Sequence, residues 1–323
     1  MKKLIGLLLF IPVWLGGCSN DDDVHNHVNP GELVSPEFDL ASIGPQTPFT
    51  GYLIVAPALG DGSIYFGNYN ASGNRNSIHG TYVISKGSIW TSNNPIRLPT
   101  GNYTFVYWGI PQNNSADSTY AQVAVNEPAY VMGTDMKNMF YTLRPYRIGG
   151  DTTYYPVFDY VFSKQPMQVG TDKMSAVLDR VTAGFKITLT DKNNEPIDPN
   201  IASVRVLIGT IASALDYYTG EPSDFSKTVS FPLTKSADGM QMSANSTVMV
   251  FPSAPTPPLT LVLTLNNGKQ KIYRQALTST LTAGTRLTLT ASIGEIFVEE
   301  TESNGFEITN WKEETESIDF SDN

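Results

Sequence analysis

Cys18 is the only cysteine in this chain of 323 residues, and it directly follows Leu15, Gly16 and Gly17. A large aliphatic residue three places before a cysteine, with small residues between them, resembles the bacterial lipobox. The small residues give a signal peptidase access to the bond before a cysteine that already carries diacylglycerol. The sequence therefore predicts a lipid on Cys18, with Leu15, Gly16 and Gly17 as the lipobox.

The segment before the cysteine has the features of a secretory signal. Lys2 and Lys3 form a short positive region, and an apolar run from Leu4 to Leu15 follows it. A helix needs about 20 apolar residues to cross a bilayer, so this run is too short to span one and is typical of a cleaved signal peptide. We predict residues 1–17 as the signal peptide. Acyl chains on Cys18 would then hold the mature chain at the outer membrane, since each buried methylene contributes about 0.8 kcal/mol.

A polar stretch follows Cys18 and begins with Ser19–Asp23, which contains three consecutive aspartates. An acidic run at this place resembles the surface-export signal of Bacteroidetes lipoproteins, and it also suits a flexible tether. His25 and His27 form a pair that could bind a metal, but no third ligand lies nearby, so no metal site is predicted. We assign residues 18–45 to a tether.

Composition excludes several classes of function. The formal net charge of −10, from 21 basic and 31 acidic residues, argues against a nucleic-acid partner because phosphate binding needs clustered Lys and Arg. One cysteine excludes an internal disulfide and any cysteine-based zinc site. The chain has no GxSxG, HExxH or P-loop motif. We therefore predict no catalytic residues and no cofactor. A glycosidase whose two carboxylates come from distant strands is the third and weakest hypothesis about function.

Three further sets of residues have more than one interpretation. Asp191, Asn193 and Glu195 alternate in a way that suits calcium, and the same residues suit a turn between two strands. His79 lies beside Gly80 in a polar stretch, which favours a loop position over a catalytic base. The aromatic residues around Tyr103–Trp108 fit either a sugar-stacking platform or a buried core.

Hydrophobic patterning predicts an all-β fold. Phe185, Ile187 and Leu189 alternate with polar residues, which is the period of a strand with one buried face. Asn266, Asn267 and Gly268 separate two strand-like runs and predict a hairpin. Helical patterns are few, and Met174–Val181 is the segment that fits two helical turns. A polar stretch near Ser163–Asp172 predicts a boundary between two β-sandwich domains.

The order of these features resembles the fimbrillins, the subunits of Bacteroidetes fimbriae, and specifically their minor or anchor-type subunits. The resemblance rests on Leu15–Cys18, Leu98–Gly109, Val177–Leu189, Leu281–Leu289 and Ile308–Trp311. It implies two tandem transthyretin-like Greek-key β-sandwiches, at residues 46–166 and 167–300, followed by an acidic strand or tail at 301–323. It also implies a non-enzymatic role in fimbrial assembly and cell adhesion, with other fimbrial subunits as partners and host or bacterial surface ligands as further candidates.

The resemblance implies assembly by strand exchange, in which one subunit donates an extended segment to an open edge of its neighbour. Phe306, Ile308 and Trp311 are the side chains that such a segment would bury. The same segment would equally serve as the last strand of its own sandwich. The sequence alone does not separate the donated strand from the strand of the chain's own sandwich.

Arg75 marks a departure from the stalk fimbrillins, which are usually cut after a basic residue early in the mature chain. No Lys or Arg lies between Cys18 and Arg75. Arg75 is a candidate protease site, but a late one. We therefore expect an uncut subunit that keeps its lipid.

The alternative function is a glycan-binding outer-membrane lipoprotein, since such proteins also combine a lipobox with tandem sandwiches. They bind sugars on exposed aromatic rings. The exposure of Trp90, Trp108 and Trp311 is therefore the observation that separates the two functions.

Overall fold

The chain folds into β-strands that are joined by turns, and the all-β prediction is confirmed. The computed structural model describes residues 32–38, 48–112, 122–148, 151–244, 246–293, 304–310 and 315–320. A single 3₁₀ turn, Met136–Asn138, lies among the described residues.

The strands of the first half of the chain are β1 (Leu33–Val34), β2 (Gly51–Leu59), β3 (Asn68–Tyr69), β4 (Arg75–Asn76), β5 (Gly80–Ser85), β6 (Ser88–Asn94), β7 (Leu98–Pro99), β8 (Gly101–Pro111), β9 (Phe140–Thr142), β10 (Pro145–Ile148), β11 (Asp151–Tyr154) and β12 (Val161–Val169). The strands of the second half are β13 (Asp179–Arg180), β14 (Ala183–Asp191), β15 (Ile201–Ile211), β16 (Ala214–Asp216), β17 (Pro222–Ser223), β18 (Lys227–Lys235), β19 (Gln241–Ser243), β20 (Val248–Val250), β21 (Pro258–Leu265), β22 (Gln270–Ala276), β23 (Arg286–Ile293), β24 (Asn304–Asn310) and β25 (Thr315–Phe320).

The N-terminal sheet is antiparallel and has the order β13-β12-β8-β2-β5-β6. Its central strand β8 is apolar at successive positions because both of its faces are covered. Tyr103, Phe105 and Tyr107 pack into a cluster on one face, which we call the N-terminal core. Val106 and Trp108 pack into a larger cluster on the other face, which we call the main core.

The second sheet runs along the path β22-β21-β15-β18-β19-β14-β23-β24-β25, and its pairs on this path are antiparallel except for β14 with β23. Ile187 and Leu189 on β14 are buried beside Leu287 and Leu289 on β23. Residues between them along each strand are partly or fully exposed. This alternation is the period-2 pattern that predicted these strands.

Trp108 joins the two halves of the chain. Its indole N–H donates a hydrogen bond to the Tyr217 carbonyl oxygen at 2.9 Å. Its ring meets Tyr141 edge-on at a centroid distance of 4.6 Å and lies 5.7 Å from the Tyr217 ring. Tyr103–Trp108 is therefore core, and the core interpretation of this aromatic group is confirmed.

Two local predictions have opposite outcomes. The hairpin at Asn266–Gly268 is confirmed, since β21 and β22 pair across it and Gly268 has φ of 79°. The helical reading of Met174–Val181 is wrong. Met174, Ala176 and Leu178 are buried while the residues between them are exposed, which is the alternation of an extended segment.

The predicted domain boundary between residues 166 and 167 falls within β12, which is continuous from Val161 to Val169. By its internal contacts, Glu32–Asn323 forms one compact unit. The division into two tandem domains stays a prediction.

Candidate assembly site

The segment Glu32–Phe38, here called the strap, lies across the N-terminal core. Its strand β1 pairs antiparallel with β7, with Leu33 opposite Pro99 and Val34 opposite Leu98. At its end, Phe38 forms a parallel bridge with Met174. Val34 and Phe38 both pack against the N-terminal core. The strap therefore covers apolar surface that the six-stranded sheet alone would leave open.

Aromatic packing and a backbone hydrogen bond hold the end of the strap. Phe38 meets Tyr82 with ring centroids 4.3 Å apart. The Met174 amide donates to the Glu37 carbonyl oxygen at 2.7 Å. The ion pair between Lys173 Nζ and Glu37 Oε2, 3.1 Å apart, is well exposed on both sides and contributes little.

Tyr82, beneath the strap, is a structural residue. Its hydroxyl accepts a hydrogen bond from the Ile96 amide at 2.7 Å. Burial raises the pKa of Tyr82 well above its ordinary value, and the hydrogen bond from Ile96 opposes this shift only in part. The phenol is therefore neutral at physiological pH, and the surface under the strap is suited to packing rather than to chemistry.

Arg75 lies in β4, which pairs with β3 in a short hairpin. Its guanidinium carbon sits 4.3 Å from the Phe66 ring centroid, and its Nε lies 3.3 Å from the Met132 Sδ. Protease sites are usually exposed segments with few contacts. A protease that bound Arg75 in an extended conformation would have to open both contacts.

The predicted lipidation site lies outside the described residues, as do Leu15, Gly16, Gly17 and Trp311. Phe306 and Ile308 belong to β24, whose backbone pairs antiparallel with β23. In this register Phe306 is opposite Ala291 and Ile308 is opposite Leu289. The segment thus takes a place in the chain's own sheet, with β25 beyond it at the edge.

The polar candidates from the sequence form no metal centre within the described part of the chain. Asp191 closes a turn, where its Oδ1 accepts from the Asn193 amide at 2.7 Å and its carbonyl accepts from the Asn194 amide at 3.1 Å. Asn194 has φ of 57°, as such turns require. The turn interpretation of this segment is therefore confirmed.

His79 lies in a loop and packs on Tyr130, with ring centroids 4.3 Å apart. Burial lowers the pKa of His79 to about 4, so the ring is neutral at physiological pH. Among the described residues its Nδ1 has no hydrogen-bond partner. The loop position is confirmed, and the side chain serves as part of an aromatic cluster.

Trp90 and Tyr52 form an exposed aromatic surface on the N-terminal sheet. Trp90 is 77% exposed and Tyr52 is 41% exposed, whereas Trp108 is only 1% exposed. Trp90 was a candidate from the sequence, but Tyr52 was missed because strand composition does not show which aromatic residues reach solvent. The two residues border one groove with Ile110.

Comparison with protein-family models places the chain among fimbrial proteins. A family model described as the fimbrillin-A associated anchor proteins Mfa1 and Mfa2 matches residues 59–317. No curated protein matches the chain by sequence. No helix within the described ranges is long and apolar enough to cross a membrane.

Solved structures with a similar fold come from Bacteroides species and from Porphyromonas gingivalis. A candidate adhesin of Bacteroides ovatus shares 14% identity at a TM-score of 0.49, with 92% of this chain and 100% of that chain covered. Candidate polysaccharide-binding proteins of Bacteroides thetaiotaomicron share 12% identity at a TM-score of 0.50, with 84% and 90% covered. The fimbrial anchor protein Mfa2 of Porphyromonas gingivalis shares 14% identity at a TM-score of 0.44, with 85% and 95% covered. Because the family model spans more than half of the sequence, the chain belongs to the fimbrillin-A associated anchor proteins, a family of structural fimbrial subunits.

Proposed function

We propose that this chain is the lipid-bound anchor subunit of a fimbria at the outer membrane. Acyl chains on Cys18 hold it at the cell surface, and the tether of residues 18–45 joins the lipid to the folded strands. The folded strands carry the contacts with other fimbrial subunits. Two or three acyl chains suffice for stable attachment, because each buried methylene contributes about 0.8 kcal/mol.

The docked strap is the observation that carries this proposal. It covers the N-terminal core with the chain's own residues, through β1 and the ring of Phe38. No Lys or Arg lies between Cys18 and Arg75, so a protease specific for basic residues has no site between the lipid and the strap. Arg75 itself is held by Phe66 and Met132. Lipid, strap and sheets therefore stay on one covalent chain.

The proposed contact with the next subunit is the C-terminal edge of the second sheet. β24 and β25 end the path of that sheet. An extended segment from one subunit can pair with such an edge, where backbone hydrogen bonds give affinity and alternate side chains set the register. We assign Phe306, Ile308 and Trp311 to strand exchange in which the segment that contains β24 leaves its place between β23 and β25 and pairs with the neighbouring subunit.

A second function, glycan binding at the cell surface, is favoured by the exposure of Trp90. Trp90 borders one groove with Tyr52 and Ile110, and contiguous exposed apolar surface of this kind marks binding sites. This function is compatible with the anchor role, because Trp90 and the strands β24 and β25 belong to different sheets.

Metabolic labelling with palmitate tests the anchor proposal in cells that express the intact chain. We expect the mature protein to carry label and to fractionate with the outer membrane. Cys18→Ser is the matched control, which loses the thiol and is expected to lose both properties. A soluble, unlabelled wild-type form that begins after Arg75 would overturn the proposal.

A further inference from the structure

A groove of about 590 Å³ crosses one end of the N-terminal sheet, where β2 begins and β8 ends. This volume lies within the usual range of small-ligand sites. Aromatic and aliphatic side chains give it an apolar wall, and three polar side chains lie beside them. Tyr52, Trp90 and Ile110 belong to the wall, and Thr50, Ser85 and Gln112 are the polar residues.

A β-bulge presents Trp90 to this groove. In the register of β5 with β6, Val83 is opposite Thr91 and Ile84 is opposite Ile89, so Trp90 has no residue opposite it. A bulged residue leaves the regular pleat and its side chain is aimed away from its neighbours. Trp90 is accordingly 77% exposed at the border of the groove, with Tyr52 on the neighbouring wall.

The lining of the groove is uncharged, which decides the chemistry of its ligand. None of the ten residues that line it is acidic or basic. A charged ligand would lose hydration in the groove without gaining a partner charge. Ser85 and Gln112 are exposed at the groove, so their side-chain donors and acceptors can reach a ligand. The groove therefore suits a neutral molecule that offers both apolar faces and hydroxyl groups.

A pyranose ring has this combination of properties. One face of the ring carries axial C–H groups, and its rim carries hydroxyls. The C–H face packs on an indole ring, whose electron-rich face attracts it, while the hydroxyls reach amide and hydroxyl side chains. We propose that the groove binds a neutral oligosaccharide, with one sugar ring stacked on Trp90 and its hydroxyls hydrogen-bonded to Gln112 and Ser85.

A peptide strand is a poorer occupant of this surface. β6 is the last strand in its sheet, and strand addition would need a regular row of backbone groups along it. The pairing of β5 with β6 is shifted twice, between Thr81 and Tyr82 and between Val83 and Ile84. Bulges of this kind protect a sheet edge against further pairing. A protein partner at Trp90 is therefore an outcome for the test to exclude.

The test uses the intact lipoprotein in detergent with five neutral probes: maltohexaose, cellohexaose, laminarihexaose, mannohexaose and chitohexaose. Binding is followed by titration calorimetry and by tryptophan fluorescence. We expect at least one probe to bind and to change the emission of Trp90. Trp90→Ala should weaken that binding about tenfold or more, because the stacking face is lost. Trp90→Phe should keep part of the affinity but lose the fluorescence change.

Ile272→Ala is the matched control, since Ile272 is exposed on the other sheet and is expected to leave binding unchanged. Near-ultraviolet circular dichroism of each variant confirms that the fold is kept. Absence of binding to every probe at about 10 mM, or binding that Trp90→Ala leaves intact, overturns the proposal. Loss of binding to another fimbrial subunit in Trp90→Ala, without any glycan binding, assigns the groove to a protein partner instead. None of these outcomes bears on lipid attachment at Cys18, so the anchor function is tested separately.

Discussion

The ring of Phe38 meets the ring of Tyr82 at a centroid distance of 4.3 Å and an interplanar angle of 60°. Phe38 ends the strap, and Tyr82 belongs to β5 in the N-terminal sheet. Because the Tyr82 hydroxyl is bound to the Ile96 amide, its ring offers a fixed edge for Phe38 to pack against. This aromatic contact fixes the end of the strap to the N-terminal sheet.

Phe38→Ala should loosen the strap. Removing a half-buried phenyl ring is expected to cost about 2 kcal/mol, which is less than for a fully buried one. The amide of Met174 reports the change, since it donates to Glu37 in the strap. We expect faster hydrogen exchange at Met174 in the variant. Glu37→Ala is the control, and its exposed ion pair should contribute about 0.5 kcal/mol or less. Unchanged exchange at Met174 in Phe38→Ala would contradict a docked strap.

Asn26→Arg should create the missing protease site between the lipid and the strap. Asn26 lies in the tether predicted at residues 18–45, and the wild-type tether contains no Lys or Arg. Brief trypsin treatment of membranes should release the variant as a soluble chain that begins at His27. Wild type and Asn26→Gln should stay bound over the same time. Equal release of all three, with a new N-terminus at Asn76, would show that Arg75 is accessible.

Asp159→Ala should destabilise the fold. Asp159 is only 4% exposed, and its Oδ2 accepts from Arg180 Nε at 3.0 Å while its Oδ1 accepts from the Thr182 hydroxyl at 3.2 Å. Removing the carboxylate leaves a buried hydroxyl and a cation without their acceptor. We expect a loss of about 2–4 kcal/mol in urea unfolding. Lys173→Ala breaks an exposed pair and should change stability little; a similar loss in both variants would refute this assignment.

His79 should make stability depend on pH. Burial holds the pKa of His79 at about 4 in the folded chain, against 6.5 for an unperturbed histidine. The unfolded chain therefore takes up a proton near pH 6.5, which the folded chain does not accept until about pH 4. Stability from this group is complete above pH 6.5 and is lost as the pH falls to 4, by up to about 3 kcal/mol.

His79→Phe isolates this effect, because it keeps a ring against Tyr130 and removes the titration. As the pH falls from 6.5 to 4, the free energy of unfolding of the wild type should decrease relative to that of the variant. A difference that stays constant over this interval would show that His79 is solvated in the folded chain.

Strands with one buried face and one solvent-exposed face could be predicted from the sequence. Phe185, Ile187 and Leu189 alternate with polar residues because β14 has a covered face and a more open one. The hairpin at Gly268 was readable because its φ of 79° suits glycine. Both signals are local, so neither needs knowledge of distant partners.

Features that depend on contacts between residues far apart in the sequence could not be predicted from it. Met174 and Leu178 fit a helical spacing as well as an extended one, and the bridge from Phe38 to Met174 lies far away in sequence. Trp90 and Trp108 both lie in strand-like runs. Trp108 has strands on both sides and a core on its face, whereas Trp90 lies on the last strand of the sheet. Exposure is thus set by sheet order, which the local pattern does not contain.

N-terminal analysis of the protein taken from the outer membrane tests the central claim most directly. Mass spectrometry of its first proteolytic peptide should show a chain that begins at Cys18, carries diacylglycerol on the thiol and continues unbroken through the strap. A mature chain that begins at Asn76, with no lipid and no strap, would contradict the account.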